Sequence, residues 1–261
     1  MRSPVQQREC GFGGLAPAAG PSPVRLLAPN PGALTLEGTN TWVAHGLTGV
    51  IVIDPGPADP RHLAAIVQRG PIAAVLLTHG HADHAAALTE LSPRIPVYAA
   101  VPFPDAGVRP IGDGDLLDLA GVGFRVLATP GHTSDSVCIL MRAESGPFLF
   151  TGDTLLGGLN ASLLPTSPAA LSDYLGSLEV LSELDGVRGC PGHGPEIVDV
   201  GVHAQRALEH RYARLERIRE LLRRGCLRDP DALARAQYPH RPERQALAAR
   251  MIAAELAYLG H

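Results

Sequence analysis

Three histidines and one aspartate occupy six consecutive positions, 79 to 84, of this 261-residue chain. Neutral imidazoles are good ligands for zinc, manganese or iron, and a carboxylate adds an anionic oxygen ligand. On an extended loop, His79 and His81 point the same way because side chains alternate, whereas Asp83 and His84 follow where a helix can begin. The spacing therefore predicts two pairs of ligands that face two neighbouring metal ions.

Three further candidate ligands stand in short turns rich in glycine: His132 in Pro-Gly-His-Thr, Asp153 in Gly-Asp-Thr and His193 in Pro-Gly-His-Gly. Each follows an apolar segment that predicts a strand or a strand end: Phe124–Leu127, Phe148–Phe150 and Val187. A loop at a strand end is held by a rigid scaffold, which suits a ligand. Together the chain offers seven donors. That is more than one four- to six-coordinate ion uses, and it favours a dinuclear centre.

The four motifs HxHxDH, PGHT, GDT and PGHG, in this order, resemble the metallo-β-lactamase superfamily over residues 24 to 200. The resemblance implies two divalent metal ions, zinc first and manganese or iron as alternatives. It implies one ion on His79, His81 and His132, a second on Asp83, His84 and His193, and a bridge between them at Asp153.

Two aspartates acquire further roles from this resemblance. Asp83 is expected to help steer a proton during hydrolysis by a metal-bound hydroxide. Asp54, which follows the apolar run Val50–Ile53, matches the early aspartate of the family and is expected to orient the histidine-rich loop by hydrogen bonding. The alternative for Asp54 is an ordinary turn, because Asp-Pro-Gly forms turns without any catalytic duty. Cys190, close to His193, is a less favoured ligand because Asp153 takes the bridging place.

The segment Asn30–Trp42 resembles the opening of the β-lactamase-like endoribonuclease subgroup, and Leu171–Leu178 resembles its helix before the last histidine. This narrower resemblance implies single-stranded RNA as substrate and a winged-helix-like appendage over residues 203–261. It also implies that Asn40, Thr41 and Trp42 line the substrate groove, with strand packing as the alternative. The segment Leu155–Ser162 departs from the subgroup pattern. A thioesterase of the glyoxalase II kind, or a lactone hydrolase acting on a small molecule, follows equally from the metal site.

The fold implied by the resemblance is a four-layer αββα sandwich, whereas periodicity alone predicts an α/β protein with a layered sheet. We expect a flexible N-terminal tail over residues 1–23, a catalytic domain over 24–202 and a helical appendage over 203–261. The pattern predicts strands ending at Asp54 and near 74 to 77, and helices near 60 to 69, 84 to 91, 203 to 224 and 242 to 258. The site is expected along one sheet edge.

Charge is distributed unevenly, and all 22 basic side chains are arginines. Residues 203–261 hold 12 arginines against seven acidic residues, whereas residues 1–202 hold 10 against 19. Within His203–Arg224 the spacing predicts a helix with an apolar stripe and arginines elsewhere: Leu208, Tyr212, Leu215, Ile218 and Leu222, then Arg211, Arg214, Arg217 and Arg223. Such arginines can contact RNA phosphates, or form a solvated face balanced by glutamates.

Four cysteines without a CxxC motif indicate reduced thiols, and the sequence has neither a signal-like segment nor about 18 consecutive apolar residues. We therefore expect a cytoplasmic protein without membrane insertion, which argues against a secreted β-lactamase. A non-catalytic nucleic-acid binder is disfavoured because it would not need seven donors. An oxygen-reactive di-iron protein would use the same ligands, but this sequence lacks the attached flavin-binding domain expected of one.

Overall fold

The computed structural model of the protein describes residues 20–91, 93–101, 107–158 and 168–260, which contain two β-sheets packed face to face. The first sheet runs in the order β1 to β6: β1 (Val24–Leu27), β2 (Asn40–His45), β3 (Val50–Ile53), β4 (Ile72–Leu76), β5 (Val97–Ala99) and β6 (Arg109–Pro110). Its first three strands pair antiparallel, and β3 to β6 pair in parallel.

The second sheet has the order β11-β10-β9-β8-β7. Its strands are β7 (Leu116–Leu119), β8 (Val122–Ala128), β9 (Val137–Ala143), β10 (Gly146–Gly152) and β11 (Arg188–Pro191). Antiparallel pairing joins β7 to β10, whereas β11 pairs in parallel with β10. The apolar segments at 124–127 and 148–150 are strands, as predicted, and β11 begins directly after Val187.

The main hydrophobic core lies between the sheets, where Ile51 and Ile53 of β3 meet residues such as Phe124 and Phe150. The alternate residues of β3, Val50 and Val52, point to the opposite face and pack with Ile66 of a flanking helix. Strands covered on both faces are continuous apolar runs, which explains the sequence Val-Ile-Val-Ile. The predicted α/β sandwich with helices outside two stacked sheets is confirmed.

The helices flank these sheets: α1 (Pro60–Val67), α2 (Ala82–Ala85), a 3-10 helix (Ala86–Glu90), α3 (Pro168–Leu181), α4 (Val200–Arg223), α5 (Pro230–Gln237) and α6 (Pro242–Tyr258). The sequence reading missed α5, although Asp229 caps it by accepting a hydrogen bond from the Ala232 amide. The single helix expected near 84 to 91 is divided. The Gly56 amide donates to the His84 carbonyl, and the Ala87 amide donates to the Gly56 carbonyl. The backbone groups of His84 and Ala87 that a continuous helix would bond internally are therefore bonded to Gly56.

The C-terminal region differs from the predicted appendage. Residues 200–260 are all described and contain helices but no strand, so the winged part of the prediction is wrong. Leu208 and Leu215 of α4 pack in the hydrophobic cluster that covers the outer face of the second sheet. Ile218 packs instead with α5 and α6, in a separate cluster. The first half of α4 is therefore part of the sandwich, and its second half supports the last two helices.

The predicted division of α4 into apolar and basic faces is also partly wrong. Arg211 and Arg214 are buried, whereas Tyr212 is 45% exposed. Arg214 is buried because Glu255 of α6 accepts hydrogen bonds from its Nε at 2.7 Å and its Nη2 at 3.1 Å. Arg211 lies with its guanidinium 5.4 Å from the ring centre of Tyr174. These two arginines join helices to each other and do not face solvent.

Residues 1–19 of the predicted tail, residues 159–162 of the divergent segment and His261 lie outside the described residues. The last residues of the predicted tail are fixed to the body. The Gly20 carbonyl accepts from the Glu144 amide at 3.1 Å, and Ser22 and Ser145 share a 2.7 Å hydrogen bond. Among the described residues, no helix combines the length and apolar character needed to cross a membrane.

Candidate metal centre

All seven predicted ligands converge at one end of the sandwich, in loops that follow strands of both sheets. The histidine-rich segment follows β4, His132 follows β8, Asp153 follows β10 and His193 follows β11. Three of these strands, β4, β8 and β10, are interior strands of their sheets. The centre therefore lies across the strand ends of both sheets and not along one sheet edge, because each strand contributes only the loop that leaves it.

One group of donors consists of three imidazoles and a carboxylate. His81 Nδ1 lies 3.1 Å from His79 Nε2 and 3.0 Å from His132 Nε2. The carboxylate Oδ2 of Asp153 lies 3.5 Å from His132 Nε2. Donors of a tetrahedral zinc ion with bonds of roughly 2.0 to 2.1 Å are about 3.3 Å apart. The four side chains thus have the spacing needed to surround one ion.

A second group contains Asp83, His84 and His193. Asp83 Oδ2 lies 3.4 Å from His84 Nε2 and 3.2 Å from His193 Nε2. Asp153 reaches this group as well, with Oδ1 3.5 Å from His84 Nε2 and Oδ2 3.4 Å from His193 Nε2. Among the described residues, Asp153 is therefore the carboxylate placed between the two groups, which is the position that a bridging ligand needs.

Two buried atoms at the centre show that these residues fit a cation. His84 Nε2 and Asp153 Oδ1 are buried, and neither has a hydrogen-bond partner among the described residues. Buried polar atoms are almost always paired, and an ion is one of the partners that completes them. Gly192 allows the two atoms to come together, because a Cβ at this position would lie 2.6 Å from His84 Cε1 and collide with Asp153. The donor set and these unpaired atoms fit divalent metal ions.

Asp54 supports the centre from behind. Its carboxylate accepts hydrogen bonds from the Thr78 amide at 2.8 Å, the Thr78 hydroxyl at 2.7 Å and His84 Nδ1 at 2.9 Å. With Nδ1 donating to Asp54, the Nε2 lone pair of His84 is directed at the other donors. The Asp54 carboxylate thus contacts both Thr78 and the ligand ring of His84, which is the arrangement that the orienting role expected from the resemblance requires.

The second group is also held by the segment before β2. His193 Nδ1 donates to the Gly38 carbonyl at 3.1 Å, and the Thr39 hydroxyl donates to Asp83 Oδ2 at 3.1 Å. Asn30 fixes Thr39 in turn, since its side chain bonds both the Thr39 amide and hydroxyl at 2.9 Å. Sequence reasoning gave none of these residues a supporting role, and only their position within the Asn30–Trp42 resemblance pointed to them.

The expectation that Asn40, Thr41 and Trp42 line a substrate groove does not agree with the structure, because all three side chains are buried. Asn40 Nδ2 and Trp42 Nε1 both donate to the Pro191 carbonyl at 3.0 Å. Thr41 donates to the Asp54 carbonyl at 2.6 Å. These residues tie β2 to loops that carry candidate ligands, which matches the packing alternative. Cys190 likewise packs in the core between the sheets and is not among the grouped donors.

Mutual interactions shift the pKa values of these groups strongly. Burial would raise the pKa of Asp153, but His84 and His193 hold it well below its usual range. Burial would lower the pKa of His193, but hydrogen bonds to Asp153 and Asp83 raise it to about 10. Burial, followed by repulsion from His84, lowers the pKa of His79. Because only a neutral imidazole binds metal, a proton on His193 and an ion at the second group would compete.

Exposure differs between the two sides of the centre. His84, His193 and Asp153 are buried, whereas His81 is exposed and the Asp83 side chain is 28% exposed. His132 lies between these extremes. Among the described residues, the side of the centre that faces solvent is therefore that of His81, Asp83 and His132.

Two stacked sheets with histidines and aspartates grouped at their strand ends define a class of metal-binding α/β sandwich proteins. The family model described as "Metallo-beta-lactamase superfamily" matches residues 34–102 and 97–193, which is more than half of the chain. The chain belongs to this superfamily.

Several known proteins are similar to this chain. Lactamase-like protein nscB of Neosartorya fischeri is 35% identical over 207 residues, covering 76% of this chain and 61% of the relative. Atrochrysone carboxyl ACP thioesterase of Aspergillus chevalieri is 34% identical over 211 residues, covering 77% and 65%. The chain thus spans less than two thirds of the length of these relatives. A β-lactamase domain protein from Burkholderia ambifaria has the same fold, with a TM-score of 0.73, 20% identity and coverage of 95% and 91%.

Proposed function

We propose that this protein is a metal-dependent hydrolase that cleaves thioesters. The observation that carries the proposal is the 34% identity to a relative named as a carboxyl ACP thioesterase. The substrate class is an acyl group joined through sulfur to a thiol, such as a small pantetheine-type thioester. The comparisons therefore favour the thioesterase alternative over the single-stranded RNA substrate that the narrower sequence resemblance implied.

We propose that the centre binds two divalent ions, with zinc as the first candidate and manganese or iron as alternatives. The first ion is assigned to His79, His81 and His132, the second to Asp83, His84 and His193, and both to Asp153. The nitrogen separations near 3 Å and the unpaired atoms of His84 and Asp153 support this assignment. Two such ions, when bound, lower the pKa of a water molecule and polarise a scissile carbonyl group.

The side chains have separate tasks in this proposal. Asp153 keeps the two halves of the donor set together, since it is the carboxylate within 3.5 Å of nitrogens from both. Asp54 fixes the tautomer and direction of His84. Asp83 is the carboxylate nearest solvent, held by Thr39, and we assign to it the movement of a proton between the site and bulk water.

A thioester suits this arrangement of side chains. A thiol has a pKa of about 8.5, so a thiolate leaves a tetrahedral centre without a dedicated acid to protonate it. The imidazoles and carboxylates grouped here face one another, and His84 and His193 are fixed by supporting hydrogen bonds on their other ring nitrogen. A leaving group that needs no general acid is therefore well matched to a centre whose side chains are committed to holding ions.

The arginines of α4 give little support to an RNA substrate. Arg214, one of the arginines expected to meet phosphates, is paired with Glu255, and Arg211 is buried against Tyr174. Arg223 and Arg224 are exposed but pair with Glu216 and Glu220 of the same helix. These exposed ion pairs are what the alternative of a solvated, charge-balanced face predicts for this end of the helix.

The test is a comparison of substrates under identical conditions. The purified metal-loaded protein is given an acyl N-acetylcysteamine thioester, an acyl-glutathione, a lactone, a single-stranded RNA and a β-lactam. We expect the thioesters to be hydrolysed fastest. Asp153→Ala should lose this activity, whereas Asp173→Ala, a change of the same kind at an exposed position of α3, should retain it.

Faster turnover of RNA or of a lactone than of either thioester would contradict the substrate class. Thioester turnover that survives both Asp153→Ala and metal removal would contradict the proposed centre itself.

A further inference from the structure

His62 of α1 is a buried histidine that lies outside the two groups of candidate ligands. Its Nε2 is 2.8 Å from the Thr41 hydroxyl oxygen, which is 2.6 Å from the backbone carbonyl oxygen of Asp54. A carbonyl oxygen can only accept, so the single hydroxyl proton of Thr41 is donated to Asp54. His62 Nε2 must therefore carry a proton and donate it to Thr41. The chain of hydrogen bonds runs from His62 through Thr41 to Asp54.

These hydrogen bonds end at the backbone of Asp54, whose conformation is unfavourable and needs support. Asp54 has a φ of 52°, in the left-handed region that residues other than glycine rarely adopt. Its carbonyl oxygen is fixed by Thr41, and its amide donates to the Leu76 carbonyl at 3.0 Å. Both peptide groups of Asp54 are thereby held, and its carboxylate reaches Thr78 and His84. The direction of His84 Nε2 thus depends on the backbone conformation at Asp54.

Gly56 gives an independent indication that the His62 and Thr41 side chains pack closely against the turn that follows Asp54. A Cβ at Gly56 would lie 3.0 Å from His62 Nε2 and 3.3 Å from the Thr41 hydroxyl oxygen, and the residue has a φ of 86°. The Gly56 amide also donates to the His84 carbonyl at 3.0 Å. The same turn therefore packs against the His62–Thr41 pair on one side and holds the His84 backbone on the other.

We propose that Thr41 and His62 are positioning residues for the ion assigned to Asp83, His84 and His193. They hold Asp54 in its left-handed conformation, so that its carboxylate orients the His84 ring towards that ion. This inference rests on the metal-binding part of the proposed function. Burial lowers the pKa of His62, a direction that favours the neutral ring with a single proton.

The test measures metal affinity by chelator competition and the absorption spectrum of the cobalt-substituted protein. Thr41→Val removes the hydroxyl while keeping the shape, Thr41→Ser keeps the hydroxyl, and Thr48→Val makes the same change at an exposed turn. We expect Thr41→Val to weaken binding of one of the two ions by about tenfold, as loss of an outer-shell partner does, and to alter the cobalt spectrum. Thr41→Ser and Thr48→Val should resemble the wild type.

Wild-type affinity and spectrum in a folded Thr41→Val variant would overturn the inference. Nitrogen-15 NMR of the wild-type protein supplies a second measurement that requires no variant, with protonated Nε2 expected for His62 and protonated Nδ1 as the contrary result. Neither readout depends on turnover. A wild type that binds two ions but leaves thioesters intact would defeat the proposed substrate while leaving this inference standing.

Discussion

Two clusters of buried ionisable side chains in this protein are arranged in opposite ways. Between α4 and α6, the guanidinium of Arg214 meets the carboxylate of Glu255 through two hydrogen bonds, and the opposite charges satisfy each other. At the strand ends, imidazoles crowd around Asp153, and buried atoms of His84 and Asp153 have no hydrogen-bond partner among the described residues. The first cluster is complete within the protein. The second is complementary to a cation that the protein does not itself supply.

The difference separates a structural ion pair from a binding site. A buried ion pair joined by two hydrogen bonds holds two helices in register, and loss of one partner lowers the free energy of unfolding. A buried set of donors with unpaired atoms has a cost in folding that a bound ion offsets. Variants in the two clusters should therefore affect different quantities, metal binding and activity in one and stability in the other.

The largest effect is expected from Asp153→Ala, which removes the carboxylate shared by both groups of donors. We expect a loss of metal affinity beyond the roughly 10- to 100-fold typical of outer-shell partners, together with loss of detectable hydrolysis. Elemental analysis after reconstitution, which should give two ions per wild-type chain, and turnover assays measure these effects. Two tightly bound ions and normal turnover in the variant would contradict the bridging assignment.

The second expected effect, on stability, follows from Arg214→Met. This change leaves the Glu255 carboxylate buried without its partner, which should lower the free energy of unfolding by about 3 to 5 kcal/mol. Urea unfolding measures it, with Arg217→Met at an exposed position of the same helix as the control. Replacing both partners, as Arg214→Met with Glu255→Leu, should recover much of the loss. Reduced metal content in a folded Arg214→Met variant would contradict the assignment of this ion pair to stability alone.

A smaller effect on the metal centre is expected from Thr39→Val, which removes the hydroxyl that donates to Asp83. Metal affinity should fall by roughly 10-fold, at the lower end of the range for outer-shell partners, because Asp83 is only partly buried. Thr39→Ser should restore it. Equal affinities for the valine and serine variants would show that Asp83 is positioned without Thr39.

The smallest effect is expected from Arg223→Gln, which breaks exposed ion pairs with Glu216 and Glu220 on α4. Such exposed pairs contribute little to stability and are screened by salt. Urea unfolding at low and high salt should show a minor change that disappears at high salt, and thioester turnover should stay the same. A steep loss of RNA binding in this variant would instead revive the nucleic-acid reading.

The sequence was most informative where one residue type at one spacing has few physical explanations. The run from His79 to His84, with His132, Asp153 and His193 after apolar segments, predicted one centre, and the structure brings these residues together. The apolar runs predicted the main strands because a sheet covered on both faces needs them. The ligand assignments, the cytoplasmic location and the domain boundary at residue 202 stay predictions.

The remaining features depend on contacts between distant residues, which a local pattern does not contain. Arg214 looks like a surface residue until Glu255, 41 positions later, is placed against it. Thr41 and Trp42 sit beside a predicted site in sequence, yet their side chains point into the interior and bond to backbone groups. The wing was expected from resemblance alone, and residues 200–260 form three helices joined by loops, without a strand.

The parallel pairing of β11 with β10 has a consequence for how the chain is made. His193 enters the centre only when β11 adds to the second sheet, and the Asn40 amide then donates to the Gly192 carbonyl at 2.7 Å. Asn40 in β2 thus obtains its hydrogen-bond partners only from a segment some 150 residues later in the sequence. Contacts between such distant segments form slowly, so we expect the donor group of Asp83, His84 and His193 to be completed late in folding.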